Sequence, residues 1–487
     1  MQLIVKYSAE VTIKSRPVRN RICQQLVRNL RVLLKPFDQS CQVVGKWDRL
    51  DIEINPAAHD VERCLDRIRQ CTGIAYFLEV LEYPLGDIDA IYDAVAKEYL
   101  PLLAGKSFAV RCRRVGEHSF SSGEIERELG GRLLENADNA QVRLKNPDVT
   151  VRLDIRREEM FVTRQRIAGA GGFPMGSLDP VLALMSGGFD STVASYLAMR
   201  RGLEVHFLFF SLGGDEHRVA VQEIAAYLWM QYASSQPLKF ISVPFEEVVN
   251  EIQRSTEVGY TGIILKRMML RAAQRVAKKH GVKALVTGEA IAQVSSQTMP
   301  NLAVIDKASD MLVLRPLAFM DKMDIVDIAR KIGTEDFSKY VPEYCGAVSI
   351  RPKTRAKLPA VLSQEAHFDD TVLEAAIAAS ECVKLQELGE TNQPEAEADQ
   401  PPVVSDLPAN STVLDIRHPE EQMSRPLQLQ GADIQCIPFY ELNSRFSALP
   451  VEKTYYLYCE QGLMSRLHAS YLCDAGHKNI AVYRSSA

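Results

Sequence analysis

Two short segments carry residue types arranged for chemistry. Ser186-Gly187-Gly188-Phe189-Asp190-Ser191 follows the apolar run Val181–Met185 and precedes a stretch with helical spacing, Thr192–Arg201, that Gly202 ends. A strand entering a loop and leaving as a helix aims successive backbone N–H groups, and the helix's partial positive charge, at one point, which suits an anion. The adjacent glycines let phosphates approach the backbone. Asp190 at the rim is placed to organise Mg²⁺ and the reacting groups, although Asp near a helix start is also a common cap. The second segment, Tyr455-Tyr-Leu-Tyr-Cys459-Glu-Gln-Gly-Leu-Met-Ser465-Arg466, repeats the strand, loop and helix outline around a cysteine. Loop amides at a helix start are expected to lower the Cys459 pKa and to stabilise a thiolate or persulfide; a buried structural cysteine is the plainer alternative.

The elements that position these loops follow from periodicity. Apolar strands at Val181–Met185, Glu204–Phe210, Leu238–Val243 and Ala284–Thr287 alternate with helices. One of these, Ile263–His280, puts Leu265, Met269, Ala272 and Val276 on one stripe and stops at Gly281. That alternation predicts a doubly wound parallel sheet. After an acidic, proline-rich stretch the pattern recurs on a smaller scale, with strands Val413–Ile416 and Tyr455–Tyr458 and a helix Arg466–Ala475, an α/β module. The N-terminal region mixes strands (Leu3–Tyr7, Gln42–Val44, Asp51–Ile54, Phe108–Arg111, Thr150–Ile155) with helices (Arg19–Leu34, Val61–Gln70, Ser122–Asn136), which predicts α+β. Gly169–Gly176 reads as a hinge.

At 487 residues the chain exceeds one core and predicts about three or four domains. Hydrophobic content of 46% and charged content of 24% exclude wholesale disorder. No signal peptide or membrane-length apolar run is present, so a cytoplasmic protein with no membrane partner is expected. Ten dilute cysteines without a Cys-x-x-Cys pair argue against a disulfide scaffold, a resident metal or an iron–sulfur cluster, and most are expected to be buried. Net charge is −5, yet residues 1–172 hold 27 Lys and Arg against 24 Asp and Glu, a local +3 that leaves −8 for the remainder and permits RNA binding at the N-terminal end.

Ser-Gly-Gly-x-Asp-Ser behind a strand resembles the PP-loop pyrophosphatase motif, and no Walker lysine pattern is present. The resemblance implies attack at the α-phosphate of ATP, with pyrophosphate leaving. Cys459-x-x-Gly462, Asp415-x-Arg417 and Gly476-His-Lys-Asn-Ile480 resemble a rhodanese domain. The arginine that a cysteine phosphatase needs six positions after its cysteine is replaced by Ser465, which favours sulfur carriage. Phe108-Ala-Val-Arg-Cys through Glu126 resembles a THUMP RNA-binding domain. Together with Leu314-Arg-Pro-Leu317 and Cys345, these motifs make the whole chain similar to the tRNA 4-thiouridine synthetases, in the long form with a C-terminal rhodanese domain.

That resemblance implies an N-terminal ferredoxin-like domain (residues 1–60), a THUMP domain (61–168), a PP-loop adenylation domain (169–386), a flexible acidic linker (387–404) and a rhodanese-like domain (405–487). It places ATP contacts on Leu184, Met185, Lys266, Gly288 and Gln297, beside Ser186, Gly187, Gly188 and Ser191 of the loop. Backbone groups of Leu184 and Met185 would read adenine, and Lys266 would offset phosphate charge. It implies catalytic roles for Cys459, Cys345 and Asp190. A cysteine desulfurase would load Cys459 with sulfane sulfur, which reaches an adenylated tRNA uridine at the acceptor–D-arm junction while Cys345 attacks the persulfide or resolves it as a disulfide. A small sulfur-carrier protein of thiamine thiazole synthesis would be a second acceptor. For RNA phosphates the candidates are Arg111, Arg113, Arg114, Arg127 and Arg132, any of which could equally be a solvated surface charge. A PP-loop synthetase that delivers nitrogen is the competing enzyme reading, and an RNA-binding adaptor the non-enzymatic one.

Overall fold

The first unit is organised by one eight-stranded sheet. Its strands are β1 (Gln2–Tyr7), β2 (Gln42–Gly45), β3 (Leu50–Glu53), β4 (Ile74–Pro84), β5 (Ser107–Val115), β6 (Gln141–Val142), β7 (Val149–Arg156) and β8 (Glu159–Ala168). They lie in the order β2-β3-β1-β4-β8-β7-β5-β6. Pairing is antiparallel except at β5–β7 and β5–β6. Two cores form along this sheet. In one, Ile22, Leu26, Leu30 and Leu34 of the helix Arg16–Leu34 pack on Leu3, Ile52 and Phe77, joined by Cys64, Leu65 and Ile68 of the helix Val61–Gln70. The core of the first half therefore extends past residue 60. In the other, Ile91, Val95 and Leu103 meet Ile125, Leu129 and Leu133 of the helix Ser122–Asn136, over Phe108, Val151 and Leu153. That last helix begins with a capping box: Ser121 Oγ accepts from Glu124 N–H at 3.2 Å, and the Glu124 carboxylate accepts from Ser121 N–H at 2.7 Å.

The computed structural model describes residues 1–55, 60–212, 214–340, 352–388, 401–408, 410–417, 419–460 and 462–484. Its chain forms two units, Met1–Ser177 and Leu178–Ala487. The glycine stretch expected as a hinge is partly pinned to β4. Gly171 N–H donates to Ile74 O at 2.8 Å, and a Cβ on Gly169 would fall 2.3 Å from that same oxygen. Close backbone approach, as well as freedom to turn, demands glycine there.

The second unit holds two sheets. The larger contains β9 (Val181–Leu184), β10 (Val205–Ser211), β11 (Lys239–Pro244), β12 (Ala284–Val286), β13 (Leu312–Leu314) and β14 (Glu381–Lys384), in the order β13-β12-β9-β10-β11-β14. Five strands are parallel and β14 joins β11 antiparallel, so the doubly wound sheet carries one reversed edge strand that periodicity did not reveal. The chain steps outward from β9 to β11 and then returns to the other side of β9 at β12. This reversal opens a crevice at the carboxyl ends of β9 and β12, where ligands of such sheets bind. Beneath it the helix Thr261–Lys279 buries Ile264, Leu265, Met268, Ala272 and Val276 against Leu182, Leu208 and Leu285.

The smaller sheet consists of β15 (Val403–Val404), β16 (Thr412–Asp415), β17 (Asp433–Cys436), β18 (Tyr455–Tyr458) and β19 (Ile480–Tyr483), all parallel, in the order β15-β19-β18-β16-β17. Two ends of the expected linker are structured. Val403 and Val404 pair with Val482 and Tyr483, and Leu388 is buried; residues 389–400 lie outside the described residues. The module seats on the helix Gly214–Leu228 through aromatic rings. The Phe337 ring packs, tilted, 4.8 Å from Tyr227 and 4.5 Å from Phe439. Beside them His468 Nε2 lies 3.3 Å from Glu223 Oε1. Burial pushes His468 down to about 3 and Glu223 well above the usual carboxylate range, so desolvation disfavours the charged form of each.

Candidate active site

At the end of β9 the chain turns through Gly187, whose φ of 83° favours glycine, and enters the helix Phe189–Arg200 with Gly188 as its N-cap. Ser191 Oγ fastens the loop: it donates to Gly188 O at 3.1 Å and accepts from Ser186 N–H at 3.1 Å. Asp190 is held at the rim by two residues remote in sequence. Lys322 Nζ donates to Oδ1 at 2.7 Å and Gln293 Nε2 to Oδ2 at 2.7 Å. Asp190 was expected to organise Mg²⁺; its carboxylate is here occupied by an ammonium and an amide.

Gly288, at the end of β12, faces this loop so closely that a Cβ would lie 2.6 Å from Asp190 C and Ser191 N. Both are backbone atoms and have no rotamer to yield. Gly288→Ala is therefore expected to force the segment after β12 away from the first turn of the helix Phe189–Arg200 and cost about 1–3 kcal/mol, read as a lowered melting temperature. An unchanged melting temperature would mean that β12 shifts freely.

Behind Gly288, Glu289 is 5% exposed. It accepts from Arg315 Nε at 2.8 Å and Thr287 Oγ1 at 3.1 Å, with Lys266 Nζ at 3.6 Å. Desolvation would raise its pKa, but Lys266 and Arg315 prevail and hold it below the usual carboxylate value. Lys266 is thus tied to the site by a buried carboxylate and is not the solvated helix charge its spacing alone suggests. Gln297 is buried, and its Oε1 has no hydrogen-bond partner among the described residues. A buried acceptor without a donor is costly and fits a ligand that brings an N–H, such as an adenine amino group. Of the two residues expected to read adenine through the backbone, Met185 has its N–H committed to Leu208 O at 2.8 Å and its side chain buried, which removes that donor; Leu184 remains half-buried at the strand end.

The second loop encloses Cys459, which is 8% exposed. Its sulfur accepts from Ser465 N–H at 3.2 Å and donates to Ser465 Oγ at 3.3 Å. Gly462 turns the loop at a φ of 72°. Behind it, Arg417 clamps Asp415 with contacts of 2.6 and 2.9 Å and stacks 5.3 Å from the Tyr458 ring. The expected lowering of the thiol pKa is corrected: burial pushes it up, and the hydrogen bonds from Ser465, Gly462 and Met464 offset only part of that. Alkylation of Cys459 by iodoacetamide should accordingly be slow at neutral pH and still rising beyond about pH 9. A plateau below that pH would show the amides prevailing.

Cys345 lies outside the described residues. Of the nine cysteines described, Cys64, Cys71, Cys112 and Cys459 are buried, while Cys382 and Cys436 are exposed, so burial is less general than dilute spacing suggested. On β5, Arg111 donates to Leu144 O at 2.7 Å, Arg113 lies 3.5 Å from Asp48, and Arg114 contacts His118 at 3.2 Å. Arg127 donates to Gly123 O at 3.2 Å, and Arg132 is engaged by both Asp89 at 2.5 Å and Glu128 at 2.8 Å. The sequence reading missed Gln293, Glu289, Lys322 and the role of Ser465. Glu289 directly follows the expected contact Gly288, but Gln293 and Lys322 carry no local signal. No group of three or more His, Cys, Asp or Glu side chains among the described residues is arranged to hold a metal ion, and no helix among them is long and apolar enough to cross a membrane.

A Ser-Gly-Gly-x-Asp-Ser loop at the switch point of a parallel sheet defines the central domain as a PP-loop nucleotide-binding fold. Family models match in chain order: ThiI ferredoxin-like domain over residues 2–77, THUMP domain over 86–164, and Thiamine biosynthesis protein (ThiI) over 176–369. A tRNA sulfurtransferase of Pseudomonas aeruginosa (strain UCBPP-PA14) is 50% identical over 489 residues, covering 99% of this chain and 100% of its own. One from Azotobacter vinelandii is 49% identical with the same coverage. Among solved structures, a 4-thiouridine synthetase–RNA complex with bound ATP superposes with a TM-score of 0.68 at 25% identity, over 79% of this chain and 99% of that one. The chain belongs to the tRNA sulfurtransferase (ThiI) family.

Proposed function

We propose that this protein is an ATP-dependent tRNA sulfurtransferase that forms 4-thiouridine at the acceptor–D-arm junction of tRNA, using a persulfide on Cys459. The observation that carries the reading is a sulfur seated on the Ser465 amide in the same chain as a PP-loop whose aspartate is bridged to Lys322 and Gln293.

ATP enters with Mg²⁺ as substrate, its phosphates on the amides of Gly187–Ser191 and its base within reach of Gln297 and Leu184. The uridine O4 attacks the α-phosphate, pyrophosphate leaves, and N3 gives up its proton. Lys322 and Lys266 supply positive charge where the transition state gains negative charge. The carbonyl oxygen thereby becomes part of AMP, a leaving group. The outer sulfur of the Cys459 persulfide then attacks C4 and expels AMP. Cys345 attacks the Cys459 sulfur of the resulting mixed disulfide, releasing the thiouridine and leaving a Cys345–Cys459 disulfide. A cellular thiol must reduce that bond before the next turnover, which suits a reducing cytoplasm.

A cysteine desulfurase is the proposed sulfur donor, and a small sulfur-carrier protein of thiamine synthesis a second acceptor. Since Cys459 is nearly enclosed, loading requires its loop to open. Opening removes the desolvation that raises the thiol pKa. The C-terminal module acts as the rhodanese-like carrier, and the first unit, through Arg111, Arg113, Arg114 and Arg127, takes tRNA phosphates; Arg132, already doubly paired, contributes least. Mass spectrometry of tRNA nucleosides after incubation with protein, ATP, Mg²⁺, desulfurase and cysteine tests the reading. It should show oxygen exchanged for sulfur in one uridine, and sulfur-free tRNA would overturn it.

A further inference from the structure

Adenylation of a uridine within folded RNA requires the base to leave its stack, and the lost stacking has to be replaced at the site. Phe319 is 93% exposed, so nearly its whole ring is open to a partner. It sits in the turn between Arg315, which holds Glu289, and Lys322, which holds Asp190. That turn is fixed in place: Ala318 O accepts from Ile291 N–H at 3.1 Å, Ala318 N–H donates to Arg315 O at 3.2 Å, and Met320 N–H donates to Leu317 O at 2.9 Å. The tether to Ile291 brings it beside the segment that carries Gln293. The same rim exposes Met323 (66%), next to Lys322, and Val294, next to Gln293. Apolar side chains from two segments thus flank the cation and amide that meet Asp190. A purely phosphate-binding rim has no use for them.

We propose that Phe319 is the stacking platform for the target pyrimidine, with Met323 and Val294 lining the apolar side, and that it presents the base oxygen to the loop at Asp190. This rests on the sulfurtransferase reading given above. Aromatic stacking is indifferent to base identity and complements the cationic contacts that hold the backbone.

The test uses the full chain with whole tRNA, ATP and Mg²⁺, and inorganic sulfide in place of the carrier route. Phe319→Ala should lower kcat/KM for tRNA by about 5- to 150-fold. Phe319→Tyr should stay near wild type, and the KM for ATP should be unchanged in both. The side chain is exposed, so neither substitution should alter the melting temperature. Wild-type kcat/KM in Phe319→Ala, or equal losses in the Ala and Tyr variants, would overturn the platform while wild-type thiolation left the enzymatic reading standing. Absence of thiolation in the wild-type protein would remove that reading, and the platform with it.

Discussion

Cys459→Ser should abolish 4-thiouridine formation supplied by desulfurase and cysteine, a loss of more than about three orders of magnitude, as expected when a nucleophile is removed. The substitution is nearly isosteric. Ser465 can donate its N–H to a serine oxygen as it does to the sulfur at 3.2 Å, and the Asp415–Arg417 clamp behind the loop is untouched. The fold should survive, and tRNA-dependent release of pyrophosphate should continue, because the phosphate loop lies on another sheet. Excess inorganic sulfide should restore part of the product, since it can attack the adenylated carbon without a carrier. Radiolabelled sulfur from cysteine should no longer become protein-bound. Undiminished thiolation by the desulfurase route would exclude Cys459 as carrier.

The different legibility of the two loops has a physical basis. Strand, glycine loop and helix around Ser186 are set by neighbours in the chain, so the boundaries read from sequence agree with β9 and the helix Phe189–Arg200 within a few residues. The same holds for the elements around Cys459, but the sign of its pKa shift does not follow from local amides. That sign depends on burial, which the whole module sets. β4 escaped notice because its buried residues Ile74, Phe77 and Val80 recur every third position. A register shift between Glu79 and Val80 breaks the two-residue alternation that marks a strand. The helix Ile88–Leu103 was hidden in part by Pro101, which reads as a helix breaker yet lies within its last turn. Lys322 and Gln293 are 132 and 103 residues from Asp190, and only the strand order β12-β9 brings their segments to one crevice.

Asp190→Asn should reduce tRNA adenylation by about a hundred- to a thousandfold, measured as tRNA-dependent pyrophosphate release, while loading of sulfur onto Cys459 proceeds normally. The argument is one of charge placement. Asp190 fixes the Lys322 ammonium at 2.7 Å, at the mouth of a loop whose amides await phosphates. An asparagine keeps the side-chain shape and an oxygen for Gln293 but presents no charge to the lysine. Lys322 then loses its anchor and pays side-chain entropy to reach the transition state. Because one residue acts through the other, Lys322→Met should be similarly impaired, and the double variant should cost little more than either single one. Additive losses would mean that Asp190 acts independently, as a metal-organising carboxylate, and raising Mg²⁺ should then partly rescue Asp190→Asn. Wild-type adenylation in the asparagine variant would remove Asp190 from the chemistry and leave it as a first-turn carboxylate that complements the dipole of the helix Phe189–Arg200.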